Sequence, residues 1–125
     1  MKYLCLGYYN KEKMDALPTE EVEGIILECQ THIKNFYSSS NILMDVGISQ
    51  EVHRLKRVNG EIQTESGMPN QLEKVIGSAF ILEAENMDKA IQIASLHPTV
   101  QVKRGEQLGW EIEIFAIDSV DLKEK

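Results

Sequence analysis

The stretch SAFILEAENMDKAIQIASLHP, residues 78–98, holds the strongest architectural signal in the chain. Its first part belongs to VIGSAFIL (residues 75–82), an almost wholly apolar run of the kind a central strand needs. Asn86 is a good N-cap residue, and Met87, Ala90, Ile91 and Ala94 then recur at helical spacing, which predicts a helix that Pro98 stops. A strand running straight into a helix places the chain among folds that layer helices on a sheet.

Toward the N-terminus, KYLCLGYY (residues 2–9) is rich in aromatic and branched residues and predicts an opening strand. Residues 10–16 read as a loop. Pro18 and Thr19, followed by Glu20, Glu21 and Glu23, mark a helix start, because acids in the first turn complement the helix dipole. Val22, Ile25, Ile26, Cys29, Ile33, Phe36 and Tyr37 then form an apolar stripe at three- and four-residue steps, and Ser38 to Asn41 end the helix. ILMDVGI (residues 42–48) returns to extended character. EVHRLKRV, Asn59-Gly60 and EIQTE predict a hairpin, since Asn-Gly accepts the positive φ angles of a two-residue turn. Residues 66–72 read as a loop and residues 100–108 as short strand and loop. Trp110, Ile112, Ile114 and Ala116 alternate with Glu111 and Glu113 in the cleanest period-two strand of the chain.

That order predicts an α+β fold: a ferredoxin-like β-α-β-β-α-β core with an added hairpin, forming one domain over residues 1–118 with a short polar tail over 119–125. Two helices cover one face of such a sheet. The other face would expose apolar residues, which pairing of two sheets in a homodimer would bury.

With 125 residues, 42% hydrophobic and 26% charged, the chain suits a single core. Its formal charge of −7 repels nucleic-acid phosphate and anionic membrane surfaces, so neither is an expected partner. The first residues lack the apolar core of a secretory signal, and Cys5 and Cys29 sit in apolar patterns without metal-type spacing. Buried thiols in a reducing cytoplasm are the expectation, and a disulfide between the two stays open.

The stretch TESGMPNQLEKVIGSAFILEAENMDKAIQIASLHP, with the opening MKYLCLGYYN and the closing GWEIEIFAID, resembles the YCII-related family and specifically its DGPF-type branch. Relatives of that branch run from a strand into Asp-Gly-Pro-Phe, through an acidic, lysine-bearing loop and a Gly-containing apolar strand, to a helix ending near His-Pro. Here the tetrapeptide becomes Ser66-Gly67-Met68-Pro69, which keeps the glycine and loses the aspartate. The resemblance implies a bacterial protein built as a dimeric α+β barrel. It also implies a histidine and an aspartate in a cleft beside the sheet, although the histidine found in the first helix of many relatives has no matching motif here. His32 is the nearest candidate for it.

His97 admits two readings. Imidazole titrates near neutral pH, so His97 could act as an acid or base with Asp45 as its carboxylate partner; alternatively, a histidine in a last helical turn bonds free carbonyls, and proline beyond it is ordinary stop chemistry. Asp45 interrupts the apolar strand ILMDVGI, either pointing into a cavity or marking a bulge or an edge that faces water. Tyr8, Ser66 and Trp110 are the ligand-binding candidates, while Tyr3, Tyr8, Tyr9 and Trp110 could line an aromatic pocket, although aromatics on terminal strands more often fill a core or a dimer seam. His53 on the charged hairpin reads as solvent-facing, and Lys103-Arg104-Gly105 as a solvated turn. No GxGxxG, Walker-type, HExxH, CxxC or GxSxG pattern occurs, so no cofactor or metal is expected.

Three functions follow as expectations. The first is a small-molecule-binding homodimer with His-based acid/base chemistry in its cleft. The second is a non-catalytic accessory or transcription-regulatory protein on the same dimeric fold, and the third a cofactor-free monooxygenase-like enzyme with an apolar pocket.

Overall fold

A computed structural model describes residues 1–39, 41–67 and 71–121. The elements are β1 (Lys2–Tyr9), α1 (Lys11–Asp15), α2 (Thr19–Ser38), β2 (Ile42–Gly47), β3 (Val52–Val58), β4 (Glu61–Gly67), β5 (Val75–Glu83), α3 (Met87–Ala94), α4 (Pro98–Gln101), a 3₁₀ turn (Lys103–Glu106) and β6 (Glu111–Ala116). The fold is α+β. Four strands form one open antiparallel sheet in the order β2-β5-β1-β6, and among the described residues β3 and β4 form a separate two-stranded sheet.

The pairing register sorts the side chains. Tyr3, Cys5, Phe80 and Leu82 are buried on one face, where Phe36 of α2 and Ala90 and Ala94 of α3 pack against them. Both long helices therefore lie on the same side. On the opposite face, Met44, Ile81, Leu4 and Phe115 form one row across all four strands, and Val46, Ala79, Leu6 and Glu113 form the next. Met44 and Phe115 are each 46% exposed, so the first row ends in open apolar side chains.

A second, smaller cluster of Ile25, Val102 and Leu108, flanked by Met14, Leu17, Cys29 and Trp110, closes the other end of the helical side. The α2 stripe is narrower than its spacing predicts. Only Ile25 and Phe36 of that helix are buried, and Ile26 is half exposed.

The chain departs from the sequence reading at three places. Residues 10–16 are not all loop: the Asn10 side chain accepts from the Lys13 amide at 3.0 Å and caps α1. Residues 98–108 hold α4 and the 3₁₀ turn instead of a short strand, with Pro98 at a first-turn position where its missing N–H costs nothing. Residues 66 and 67 complete β4 instead of opening a loop, while Met68 and Pro69 of the degraded tetrapeptide lie outside the described residues, as do residues 122–125 of the tail. The hairpin forms as predicted, with Asn59 at φ 52° and Gly60 at φ 81°.

Candidate functional site

Between the two apolar clusters opens a cavity of about 600 Å³, walled by the sheet, α2 and the segment around α4. Met14, Val22, Cys29 and Trp110 supply apolar wall, and Ser78, His97 and Thr99 supply polar groups. None of the described lining residues is lysine or arginine. The one charged lining side chain, Asp15, is largely exposed and ion-paired with Lys11.

Gly7 explains how the polar groups converge. A Cβ at this position would lie 2.3 Å from Ser78 Oγ and 3.3 Å from Thr99 Oγ1, so the two hydroxyls close over a bare Cα. The β1–β5 ladder shifts register between Gly7 and Tyr8, a bulge beside the cavity.

His97 is 6% exposed, the only buried polar side chain among the described residues. Its ring stacks on Phe80, with centroids 4.7 Å apart and planes 10° from parallel, and meets Phe36 edge-on at 4.9 Å. Its Nδ1 accepts from the Thr99 amide at 3.1 Å and thereby caps α4. A ring whose Nδ1 accepts carries its neutral-form proton on Nε2. The imidazole therefore caps the helix that follows it, where the sequence reading had it finishing the one before. Burial pushes its pKa below the ordinary 6.5, and the nearby Asp45 carboxylate offsets part of that.

The sign of the pH dependence follows from this. A folded-state pKa below the unfolded value means the unfolded chain binds the proton more tightly, so the contribution of His97 is complete above pH 6.5 and is lost as pH falls from there through the lower folded value. The urea midpoint should drop between pH 7.5 and pH 5.5, and His97→Asn, which keeps a capping acceptor, should shrink that drop. An unchanged pH dependence in the variant contradicts this assignment.

The other sequence candidates scatter. Asp45 sits on the edge strand β2, half buried on the helix side opposite Phe80, and accepts from the Tyr37 hydroxyl at 2.5 Å. No hydrogen bond joins it to His97 among the described residues, although its charge is felt there. Tyr8 lines the cavity, but burial and the neighbouring Glu113 carboxylate raise the pKa of its hydroxyl, and Lys74 lies 4.6 Å above its ring while bridging Glu111 and Glu113. Ser66 is exposed on the hairpin, outside the cavity. Trp110 lines the cavity, its Nε1 donating to Met14 Sδ at 3.4 Å. Its ring rests on Gly105, where a Cβ would come within 2.9 Å. Arg104 faces Glu21 at 3.5 Å, and His53 is exposed beside Glu51.

His32 is half buried on α2 and does not line the cavity. Both cysteines are free thiols; burial pushes Cys5 up to about 12 and also raises Cys29, with help from Glu28. Neither suits nucleophilic work. Among the described residues no three metal-ligating side chains converge, and no helix is long and apolar enough to cross a membrane.

Gly7, Ser78 and Thr99 are the site residues that sequence reasoning missed. Ser78 carried a faint signal: it is a hydroxyl inside the otherwise apolar run VIGSAFIL. Fold and cavity together define an α+β protein with a one-sided sheet and a cleft on its helical side. No family model matches the chain, and a comparison with curated proteins finds no significant match.

Proposed function

We propose that the chain is a ferredoxin-like protein of the YCII-related, DGPF-type kind that works as a homodimer and binds one small organic molecule in the cavity between the sheet and its helices. The strand order β2-β5-β1-β6, with α2 leading from β1 to β2 and α3 from β5 toward β6, is compatible with a β-α-β-β-α-β core carrying the β3–β4 hairpin as an addition. Two such sheets packed on their apolar faces would make the dimeric barrel.

The observation that carries the ligand reading is the cavity itself. Its volume falls within the usual range for small-molecule sites, its walls are mostly apolar, and three of its polar groups, His97, Ser78 and Thr99, come from the segments that meet at Gly7. Acid/base work at Nδ1 of His97 would require release of the Thr99 amide, whereas binding requires only the Nε2–H donor. Binding is therefore the primary role, with His-based chemistry secondary to it.

Trp110 is the single tryptophan and lines the cavity, so its emission reports occupancy. The uncharged probe N-phenyl-1-naphthylamine should quench it saturably at one site per chain, and Cys29→Phe, which projects a ring into the same space, should abolish the effect. Quenching that never saturates, or that ignores the substitution, defeats the reading.

One observation favours the accessory-protein reading. Leu55 and Ile62 stand 71% and 67% exposed on a two-stranded hairpin, a unit that is marginal without cover. A partner strand or surface would find apolar contacts there.

A further inference from the structure

We infer that the cavity selects an uncharged, ring-bearing molecule that presents one oxygen acceptor to His97, and that it rejects carboxylates and ammonium groups of the same shape. This rests on the ligand-binding reading above and names the class of ligand.

The selection comes from what the cavity contains. An anionic ligand seated in this open-mouthed cavity would meet no lysine or arginine among the described lining residues, and the chain's net charge of −7 opposes its approach. Among the lining residues a cation would find only Asp15, which is largely exposed and already paired with Lys11, and the Asp45 carboxylate near His97 lies outside the lining and is held by Tyr37. The cavity's uncharged polar groups include hydroxyls, the Gln50 carboxamide and one imidazole.

His97 sets the sense of the hydrogen bond. Nδ1 is occupied by the Thr99 amide, so the opposite edge of the ring presents Nε2–H. Among the described residues no side chain accepts from it and no side-chain nitrogen or oxygen is both sealed and without a partner, so we place this free donor on the part of His97 that lines the cavity. Protonating the ring would put a second N–H against the Thr99 amide, which holds the group to donor work in its neutral form. Stacking on Phe80 and the edge contact with Phe36 fix the ring plane, so the donor points one way. Ser78 and Thr99 hydroxyls beside it can donate or accept, and so tolerate either a carbonyl or a hydroxyl on the ligand. Apolar wall from Trp110, Met14 and Cys29 suits an aromatic or alicyclic ring.

Competition against N-phenyl-1-naphthylamine at pH 7.5 tests the assignment with four naphthalenes of one shape: 2-acetylnaphthalene, 2-ethylnaphthalene, 2-naphthoate and 2-naphthylmethylamine. The ketone should bind about fivefold tighter than the ethyl compound, the value of one neutral hydrogen bond. It should bind at least about tenfold tighter than the carboxylate or the ammonium compound, which must shed hydration without a counter-charge. His97→Phe, which keeps the stacked ring, should bring the ketone level with the ethyl compound. His97→Asn, which keeps a capping acceptor, should do the same, and agreement between the two variants separates loss of the donor from loss of the cap.

If the probe binds but naphthoate competes as well as the ketone, or the ketone keeps its advantage in both variants, the inference fails while the cavity reading stands. If the probe does not bind at all, the cavity reading falls and takes the inference with it.

Discussion

Phe80→Ala is expected to cost about 3–5 kcal/mol of stability, enough to leave a marginal domain largely unfolded. Phe80 is fully buried on the central strand β5, between Cys5 on β1 and Asp45 on β2. Its ring meets Phe36 of α2 edge-on at 5.0 Å and carries the stacked His97 on its face. Removing it opens a void in the larger core cluster and takes away the surface that orients the imidazole, so the cap on α4 and the cavity wall loosen together. Urea denaturation followed by circular dichroism measures the loss. A cost below about 1 kcal/mol, well under the usual range for a buried phenylalanine, would mean that Phe80 does not hold the two halves of the structure together.

The second large effect concerns the uncovered face. Leu6→Lys combined with Ile81→Lys should convert a dimer into a folded monomer. Leu6 lies opposite Ala79 and Glu113, and Ile81 opposite Leu4 and Met44, so both charges enter the apolar rows without touching the helical core. In a monomer the two ammonium groups reach water, and the one introduced in place of Leu6 has Glu113 beside it. In a face-to-face dimer both would be taken out of water, the one in place of Ile81 with no acid opposite it, a penalty of about 3–5 kcal/mol and hence more than about a hundredfold in dissociation constant. The variant should keep its far-ultraviolet spectrum and halve its mass. Retention of full mass would mean that copies associate through another surface, for which Leu55 and Ile62 on the hairpin are the obvious alternative.

Much of this architecture was legible because its periods are strong. The alternation from Trp110 to Ala116, the apolar run at Val75 and the Asn59-Gly60 turn each point to one local structure. The short elements were not. The segment KEKMD of α1 has no apolar stripe to announce it, and its helix rests on the Asn10 cap. Pro98 ends one helical pattern and begins another, so the stop signal hid the start of α4.

Asp45 shows a subtler limit. Strict alternation from Ile42 would place residues 42, 44 and 46 on one face, but an irregularity between Ile42 and Met44 returns Asp45 to the helical side and turns Met44 and Val46 to the open one. Sequence reasoning weighed a cavity-facing acid against one marking a bulge or a water-facing edge; the residue follows an irregularity in an edge strand and is half buried, held by Tyr37. In the cavity, His97 and Trp110 were readable from residue type. Ser78 and Thr99 were not, because their role depends on the bare Cα of Gly7 bringing two distant segments together.

The barrel stands or falls on whether a second copy covers the bare sheet face, and sedimentation equilibrium of the unmodified chain at micromolar concentration decides it. A single species of twice the 14.2 kDa chain mass is expected. A well-behaved species at the chain mass itself, unchanged across the concentration range, would leave the apolar rows open to water and refute the paired sheets.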